Sequence, residues 1–174
     1  MPNQENIALL QRLISIIETL SDQQFIHTDP AIFISSIGSH VRHVLDHNRI
    51  FLDGLEQGDI NYDNRAREQL IEFNRSEALQ CCNGLIHALE SVTDCQRVVN
   101  VTLDLGCGDS TVATEPEVQV STVGRELTFL HSHTVHHQAV IGFIMRLLKI
   151  TPVPDDFGLA PATIRYKESR QCAR

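Results

Sequence analysis

Apolar residues recur along most of this chain at positions i, i+3 and i+4, the spacing that gathers side chains on one face of a helix. In the first such segment the repeat runs through Leu9, Leu13, Ile16 and Leu20. The same pattern predicts four helices, at about residues 5–20, 32–56, 65–92 and 122–149. Residues 22–30, between the first two helices, are polar and end in proline, so they are predicted to form a loop.

Cap and turn residues mark where these helices begin and end. Gly58 is expected to end the second helix, and residues 58–63 are expected to form a turn. Asp63 suits the N-cap of the third helix, and Ser121 or Thr122 suits that of the fourth. Prolines at 152 and 154 end the fourth helix, and the tail beyond them is expected to be extended or short-helical.

The period of the pattern changes to two between the third and fourth helices. Val99, Val101, Leu103 and Leu105 alternate with polar residues, which is typical of a strand. Residues 106–109 favour a turn, and residues 112–120 indicate a return strand interrupted at Pro116. The predicted fold is therefore mainly α, a four-helix bundle with a β-hairpin inserted before the last long helix. Residues 1–174 are expected to form a single domain, with a core at about 5–150 and an extended C-terminal tail at 151–174.

Charge and hydropathy exclude some classes of partner. The net charge of −8 leaves no basic surface for a nucleic-acid backbone or an anionic membrane. No apolar stretch reaches the roughly 18 residues that indicate a membrane span, because Arg146 interrupts the longest candidate. The first residues lack the basic start and apolar run of a secretory signal, so a cytoplasmic location is expected.

The five cysteines have no spacing typical of a disulfide framework or a zinc knuckle. Cys81 and Cys82 are adjacent, and the others stand at positions 95, 107 and 172. We expect all five to be reduced thiols. A small redox protein that uses Cys81 and Cys82 is a third, less favoured functional hypothesis.

A glycine-rich segment, residues 103–108 (Leu-Asp-Leu-Gly-Cys-Gly), is similar to the first loop of S-adenosylmethionine-dependent methyltransferases. That loop requires a helix directly after it and further strand–helix units. The residues that follow, Asp109 to Pro116, do not start a helix. The two glycines are therefore interpreted as a hairpin turn.

Histidine is the unusual residue of this sequence, with nine copies, most of them in two clusters. One cluster, on the second predicted helix, places three imidazoles on a face about 60° wide: His40, His43 and His47. The other, on the last helix, contains His133, His136 and His137, with His131 on the far side. His133 and His137 have the i, i+4 spacing at which two imidazoles grip one ion. An imidazole from the second helix would complete the site, and spacing alone leaves His43, His47 and His40 open for that place.

Three neutral imidazoles suit a divalent ion such as Zn, Ni or Fe(II) and leave a coordination position for water or substrate. Such an ion lowers the pKa of bound water or holds a substrate thiol as thiolate. No glutamate stands in the His-Glu-x-x-His arrangement, which disfavours peptide hydrolysis. Arg65 is a candidate anchor for an anionic substrate near the metal, while Arg125 and Glu126 fit either a structural or a functional role. The alternative to a metal site is that these histidines are hydrogen-bonded core residues.

The segments Ser39-His-Val-Arg-His-Val-Leu-Asp-His47 and Ser132-His-Thr-Val-His-His137 resemble the DinB/YfiT-like family. The resemblance covers roughly residues 5–150, although the glycine and glutamine that usually follow the last histidines are displaced here. It implies a bundle of four helices with a divalent ion, commonly Ni or Zn, held by three histidines. It maps His133 and His137 onto two ligands and favours His43 as the third. Homodimers are common in that family, so a homodimer is an expectation.

The family also implies a function. Its relatives include transferases and isomerases that use low-molecular-weight thiols such as bacillithiol, mycothiol or glutathione. The leading hypothesis is therefore a metal-dependent enzyme of the thiol-transferase type acting on a small molecule. The alternative is a non-catalytic, metal-stabilised helical bundle that serves as a binding or structural module.

Overall fold

A computed structural model describes residues 1–103 and 116–171 of the chain. Its helices are α1 (Pro2–Thr19), α2 (Asp22–Ile26), α3 (Ile37–Gln57), α4 (Gln69–Phe73), α5 (Arg75–Glu90), α6 (Val123–Leu147) and α7 (Pro161–Gln171). Its strands are β1 (Asp59–Asn61), β2 (Val98–Leu103) and β3 (Glu117–Thr122). The protein is thus mainly helical with a small sheet, as the hydrophobic pattern predicted. No helix in the described ranges is long and apolar enough to cross a membrane.

The core lies between the long helices. Helix α1 packs against α5 and α6, and α3 packs against the same two helices. The apolar stripes predicted from the sequence face inward at these contacts, and the side chains of Leu13, Ile17, Val44, Leu89 and Leu130 are fully buried. Burial of such residues is the main favourable term in folding, about 1.5–3 kcal/mol for each large apolar side chain. The packing of α3 on α6 sets the two histidine clusters face to face.

Two helix termini lie at the cap residues that were predicted from the sequence. Gly58 ends α3 in the left-handed conformation, with φ of 76°. Thr122 caps α6 by accepting a hydrogen bond from the backbone N–H of Arg125. Helix α3 begins at Ile37, after the cap residue Ser36, rather than at residue 32.

Other predicted boundaries were wrong. The segment 22–30 contains the short helix α2, which begins with a capping box between Ser21 and Gln24. The third predicted helix is two helices, because Asn74 leaves the helical conformation and its side chain caps α5. Helix α4 begins only at Gln69, with Glu68 at the cap position, so Asp63 is not its N-cap. The tail contains a helix, α7, of 11 residues, which agrees with the short-helical form of the prediction and not with the extended one.

The sheet contains the predicted hairpin and one strand that was not predicted. Strands β2 and β3 pair antiparallel, from Val98 opposite Thr122 to Leu103 opposite Glu117. The predicted turn at 106–109 and the residues from 112 to 115 lie outside the described residues. Strand β1 pairs parallel to β2, where the sequence had indicated a turn. It has three residues, and Ile60 at its centre is fully buried beneath α3.

The cysteines that the structure describes are free thiols, as expected. Cys81, Cys82 and Cys95 are free. The other two cysteines, at 107 and 172, lie outside the described residues.

Candidate metal centre

Histidines from α3 and α6 converge on one point between these helices. His43, His133 and His137 each offer one ring nitrogen, and the three atoms lie within 4.8 Å of one another. Around a tetrahedral ion, metal–nitrogen bonds of about 2.1 Å hold two ligand atoms about 3.4 Å apart. The three nitrogens would therefore have to move closer, by at most about 1.4 Å for any pair, to bind one ion. The group contains the two α6 histidines singled out by their spacing and, from α3, His43.

The unpaired polar atoms of the described residues include one ring nitrogen of these three histidines. The Nε2 atom of His133 is buried and has no hydrogen-bond partner in the described part of the chain. Leaving a buried polar atom unsatisfied costs roughly 1–3 kcal/mol. A metal ion at the centre of the three histidines would satisfy this atom, so the residues present fit such an ion.

The local environment keeps these imidazoles neutral. Burial, followed by the charges of neighbouring histidines, lowers the pKa of His133 to about 4 and that of His137 to about 3. The same causes, with the charge of Arg65, lower the pKa of His43 to about 2. A neutral imidazole carries the lone pair that a metal requires. The three rings are therefore competent ligands at neutral pH.

His40 lies behind the group rather than in it. Its Nδ1 atom is 3.1 Å from Nδ1 of His137, so one of the two rings donates a hydrogen bond to the other. When His137 is the donor, its Nε2 atom is the one left for an ion. Histidine ligands commonly donate their second N–H in this way, which fixes the ring orientation.

His47 lies beside the group and is held by two contacts. Its Nδ1 donates to the carbonyl oxygen of His43 at 2.9 Å, because a carbonyl can only accept. Its ring stacks on Tyr62, with centroids 5.6 Å apart and planes at 15°. The ring centroid is 4.2 Å from that of His133. His47 therefore packs against the three-nitrogen group without contributing to it.

Arg65 is a charged residue in contact with the group. Its Nη1 atom lies 2.5 Å from Nδ1 of His43 and donates to it, so an ion would bind the neutral His43 ring only after this contact is released. Its Nε atom is buried without a hydrogen-bond partner among the described residues. The sequence had suggested Arg65 as an anion anchor, and the structure places its guanidinium at the edge of the candidate centre. A cation at this position opposes a metal ion and attracts an anionic group.

An aromatic wall closes one side of the centre. The ring of Phe129 stacks on His133 at 5.5 Å between centroids, and Tyr62, which stacks on His47, lies 5.0 Å from Phe129. Tyr62 was not predicted as a site residue, because a single tyrosine in a polar segment gives no signal of a contact with a distant helix.

Behind this wall lies Glu126, whose side chain is fully buried. Its carboxylate accepts hydrogen bonds from the Tyr62 hydroxyl at 3.0 Å, the Ser121 hydroxyl at 2.5 Å and the Arg125 guanidinium at 3.0 Å. Three donors offset the cost of burying the charge. Through these hydrogen bonds Glu126 connects β3 and the segment after β1 to α6, and this is the role that the structure shows for it.

The adjacent cysteines do not form an activated pair. Burial raises the pKa of Cys82 to about 12 and also raises that of Cys81, although Arg49 donates a hydrogen bond to the Cys81 sulfur at 3.2 Å. Reactive thiols require the opposite shift. The hypothesis of a redox protein that uses Cys81 and Cys82 therefore gains no support.

Fold and site together define a class: a mainly helical protein with a candidate mononuclear histidine centre between two long helices. Comparison with family models identifies the class further. The DinB family model matches residues 4–168, and the chain belongs to that family. Neither a comparison with curated proteins nor one with solved structures found a match.

Proposed function

We propose that this DinB-family protein is a metal-dependent enzyme of the thiol-transferase type, in which His43, His133 and His137 hold one divalent ion. The observation that carries the proposal is the convergence of three ring nitrogens within 4.8 Å, together with the buried Nε2 of His133, which has no hydrogen-bond partner among the described residues. Nickel and zinc suit such a set of borderline nitrogen ligands, and iron(II) is a further candidate. The four long helices α1, α3, α5 and α6 would form the supporting four-helix bundle.

The proposed chemistry needs an open coordination position and an anionic partner. Three protein ligands leave at least one position free, the layout of catalytic rather than structural sites. An ion bound there would lower the pKa of a coordinated thiol or water. The residues of the chain would supply the rest. Arg65 would hold an anionic group of the small-molecule thiol, and His40 would keep the His137 ring in its ligand orientation.

Metal content tests the first part of the proposal. Protein produced without a histidine tag, loaded with Zn or Ni and dialysed, should contain about one ion per chain by elemental analysis. His137→Ala should lose most of that metal, because the variant lacks one of the three ligands. His131→Ala, on the same helix but outside the three-nitrogen group, is the matched control and should keep it. Equal metal content in both variants would refute the site.

Turnover tests the second part. The loaded protein should accelerate the reaction of at least one low-molecular-weight thiol with a chromogenic electrophile, and a chelator should remove that activity. The panel should include thiols with and without a carboxylate, since Arg65 favours the anionic ones. A protein that binds one ion per chain yet leaves every thiol unreacted would instead be the metal-stabilised binding or structural module.

A further inference from the structure

A second site lies on the other side of the aromatic wall. A cavity of about 430 Å³ opens between the β2–β3 hairpin and α6. This volume falls within the roughly 300–1,000 Å³ of small-molecule sites. No histidine is among the described residues that line it, so it is separate from the candidate metal centre.

The walls of the cavity are mostly apolar. Val101 and Leu103 of β2 line it together with Phe129 of α6 and the ring of Tyr62. Gln119 and Ser121 of β3 also line it; Gln119 pairs with Val101, so the two side chains share one face of the sheet. Val101 is buried, and Val98, Val120 and Thr122 from the opposite face of the sheet also line the cavity.

The two charges at the cavity are not equivalent. Glu126 is fully buried, and both of its carboxylate oxygens already accept hydrogen bonds. Arg125 is the opposite case, because its side chain is 65% exposed. The one described hydrogen bond of its side chain goes from Nη1 to Glu126, and its guanidinium carbon lies 5.7 Å from the centroid of the Phe129 ring. The other guanidinium N–H groups of Arg125 have no partner in the described part of the chain, whereas both carboxylate oxygens of Glu126 already accept hydrogen bonds.

We propose that this cavity binds a small organic anion with an apolar body. The acidic group would accept hydrogen bonds from the guanidinium N–H groups of Arg125 that have no partner among the described residues, and the apolar body would lie against Val101, Leu103 and Phe129. A guanidinium with unused donors beside an apolar cavity selects a carboxylate of this kind over an amine or an alcohol. The site needs no metal, since none of the three candidate ligands lines it.

Octanoate is a suitable probe, with octanol and octylamine as ligands of matched length and different charge. Calorimetric titration of metal-free protein should show saturable binding of one octanoate per chain, at least tenfold tighter than binding of either analogue. Arg125→Gln should remove most of this preference, bringing octanoate close to octanol. Absence of saturable octanoate binding, or octylamine binding as tightly as octanoate, would overturn the proposal.

Two neighbouring residues of β3 provide a matched pair for locating the site. Gln119 is exposed and lines the cavity, so Gln119→Trp should occupy it and lower octanoate affinity at least tenfold. Val118 is 62% exposed and is not among the described residues that line the cavity, so Val118→Trp should leave the affinity unchanged. Equal octanoate affinity in the two variants would place the ligand elsewhere and refute the site. Zn content, measured on separate aliquots of the same variants after loading, should stay at the wild-type value, so failure of this proposal is distinguishable from failure of the metal centre.

Discussion

The Nδ1 atoms of His40 and His137 lie 3.1 Å apart where α3 packs against α6. Only one proton fits between two ring nitrogens, so one ring donates and the other accepts. Burial, followed by the charge of His136, lowers the pKa of His40, which keeps it neutral and able to accept. This contact joins the two helices that supply the candidate ligands. It also fixes which nitrogen of His137 faces the centre.

His40→Ala should therefore weaken metal binding without abolishing it. Loss of a hydrogen-bond partner behind a ligand typically costs about 10–100-fold in metal affinity. At saturating Zn the variant should still bind one ion per chain, unlike His137→Ala. A competition titration with a chromogenic chelator measures the dissociation constant. An unchanged constant would show that His40 does not orient the ligand.

Arg65→Gln should have the opposite effect on metal affinity. The guanidinium donates to Nδ1 of His43 at 2.5 Å, so it is a positive charge at the edge of the centre. A divalent ion about 5 Å from such a charge is opposed by about 1.7 kcal/mol even at the dielectric constant of water, or somewhat over tenfold in affinity. We expect Zn to bind about tenfold more tightly to the variant at low ionic strength, measured with the same competition titration.

Arg67→Gln is the control for this charge effect. Arg67 is exposed and two residues away, and its removal changes the net charge of the protein by the same amount. Its effect on Zn affinity should be small, because a fully solvated charge is screened. If both variants bind Zn equally tightly, the change in Zn affinity would result from the change in net charge and not from loss of the contact with His43.

The depressed histidine pKa values make the metal-free protein sensitive to mild acid. His133 has a pKa of about 4 in the folded protein against the ordinary histidine value of 6.5, so below pH 6.5 the unfolded state binds more protons. The free energy of unfolding then falls as pH drops from about 6.5 towards 4, by at most about 1.4 kcal/mol per pH unit for each such histidine, less after solvent screening. We expect the melting temperature to fall by several degrees between pH 7 and pH 5.5.

His133→Asn should flatten this pH dependence, since it removes one of the groups responsible. His87→Asn should leave it unchanged, because the His87 side chain is 89% exposed. Thermal unfolding followed by circular dichroism at several pH values measures both slopes. The same slope in wild type and His133→Asn would contradict the assignment.

Local sequence patterns predicted part of the candidate site. His133 and His137 are neighbours because they are one turn apart on a single helix, which spacing alone reveals. The α3 residue could not be chosen in the same way. His40, His43 and His47 share one helix face, and the packing of α3 on α6 decides that His43 joins the group while His40 lies behind it.

The structural features that the sequence pattern did not predict are those that depend on distant contacts or on very short elements. The hydrogen bond from Tyr62 to Glu126 joins residues 64 positions apart, so no local pattern reports it. Strand β1 has three residues, and Ile60 is the only buried one, which is too little for a period-two signal. Apolar spacing continued through Asn74, so the pattern did not reveal that its side chain would cap a new helix.

Tyr62→Phe should destabilise the protein by roughly 1.5–3 kcal/mol, the usual range for a hydrogen bond to a charged partner. Loss of the hydroxyl leaves the buried Glu126 carboxylate with two donors in place of three. Tyr166→Phe is the matched control, because Tyr166 is 59% exposed on α7, and its effect should be within about 0.5 kcal/mol. Urea denaturation measures both. Equal stability of the two variants would mean that the Tyr62 hydrogen bond contributes nothing.

Glycine substitutions test the close packing of α3 on β1, which supports Tyr62 and through it His47. A Cβ at Gly54 would lie 2.7 Å from the carbonyl oxygen of Asp59 and 2.8 Å from Cγ1 of Ile60, so Gly54→Ala must push β1 away from the helix. Overpacking of this kind costs about 1–3 kcal/mol, more than the gain of up to about 1 kcal/mol from replacing a helical glycine.

Gly84→Ala is the control substitution for Gly54→Ala. Gly84 lies within α5, and a Cβ there meets nothing within 4 Å in the described part of the chain, so only the helix-forming preference of alanine remains. This variant should be more stable than the wild type by about 0.5–1 kcal/mol. Urea denaturation should therefore move the two midpoints in opposite directions. Stabilisation by Gly54→Ala would show that β1 can shift without cost, and the close packing of α3 on β1 would then not fix the position of Tyr62 against His47.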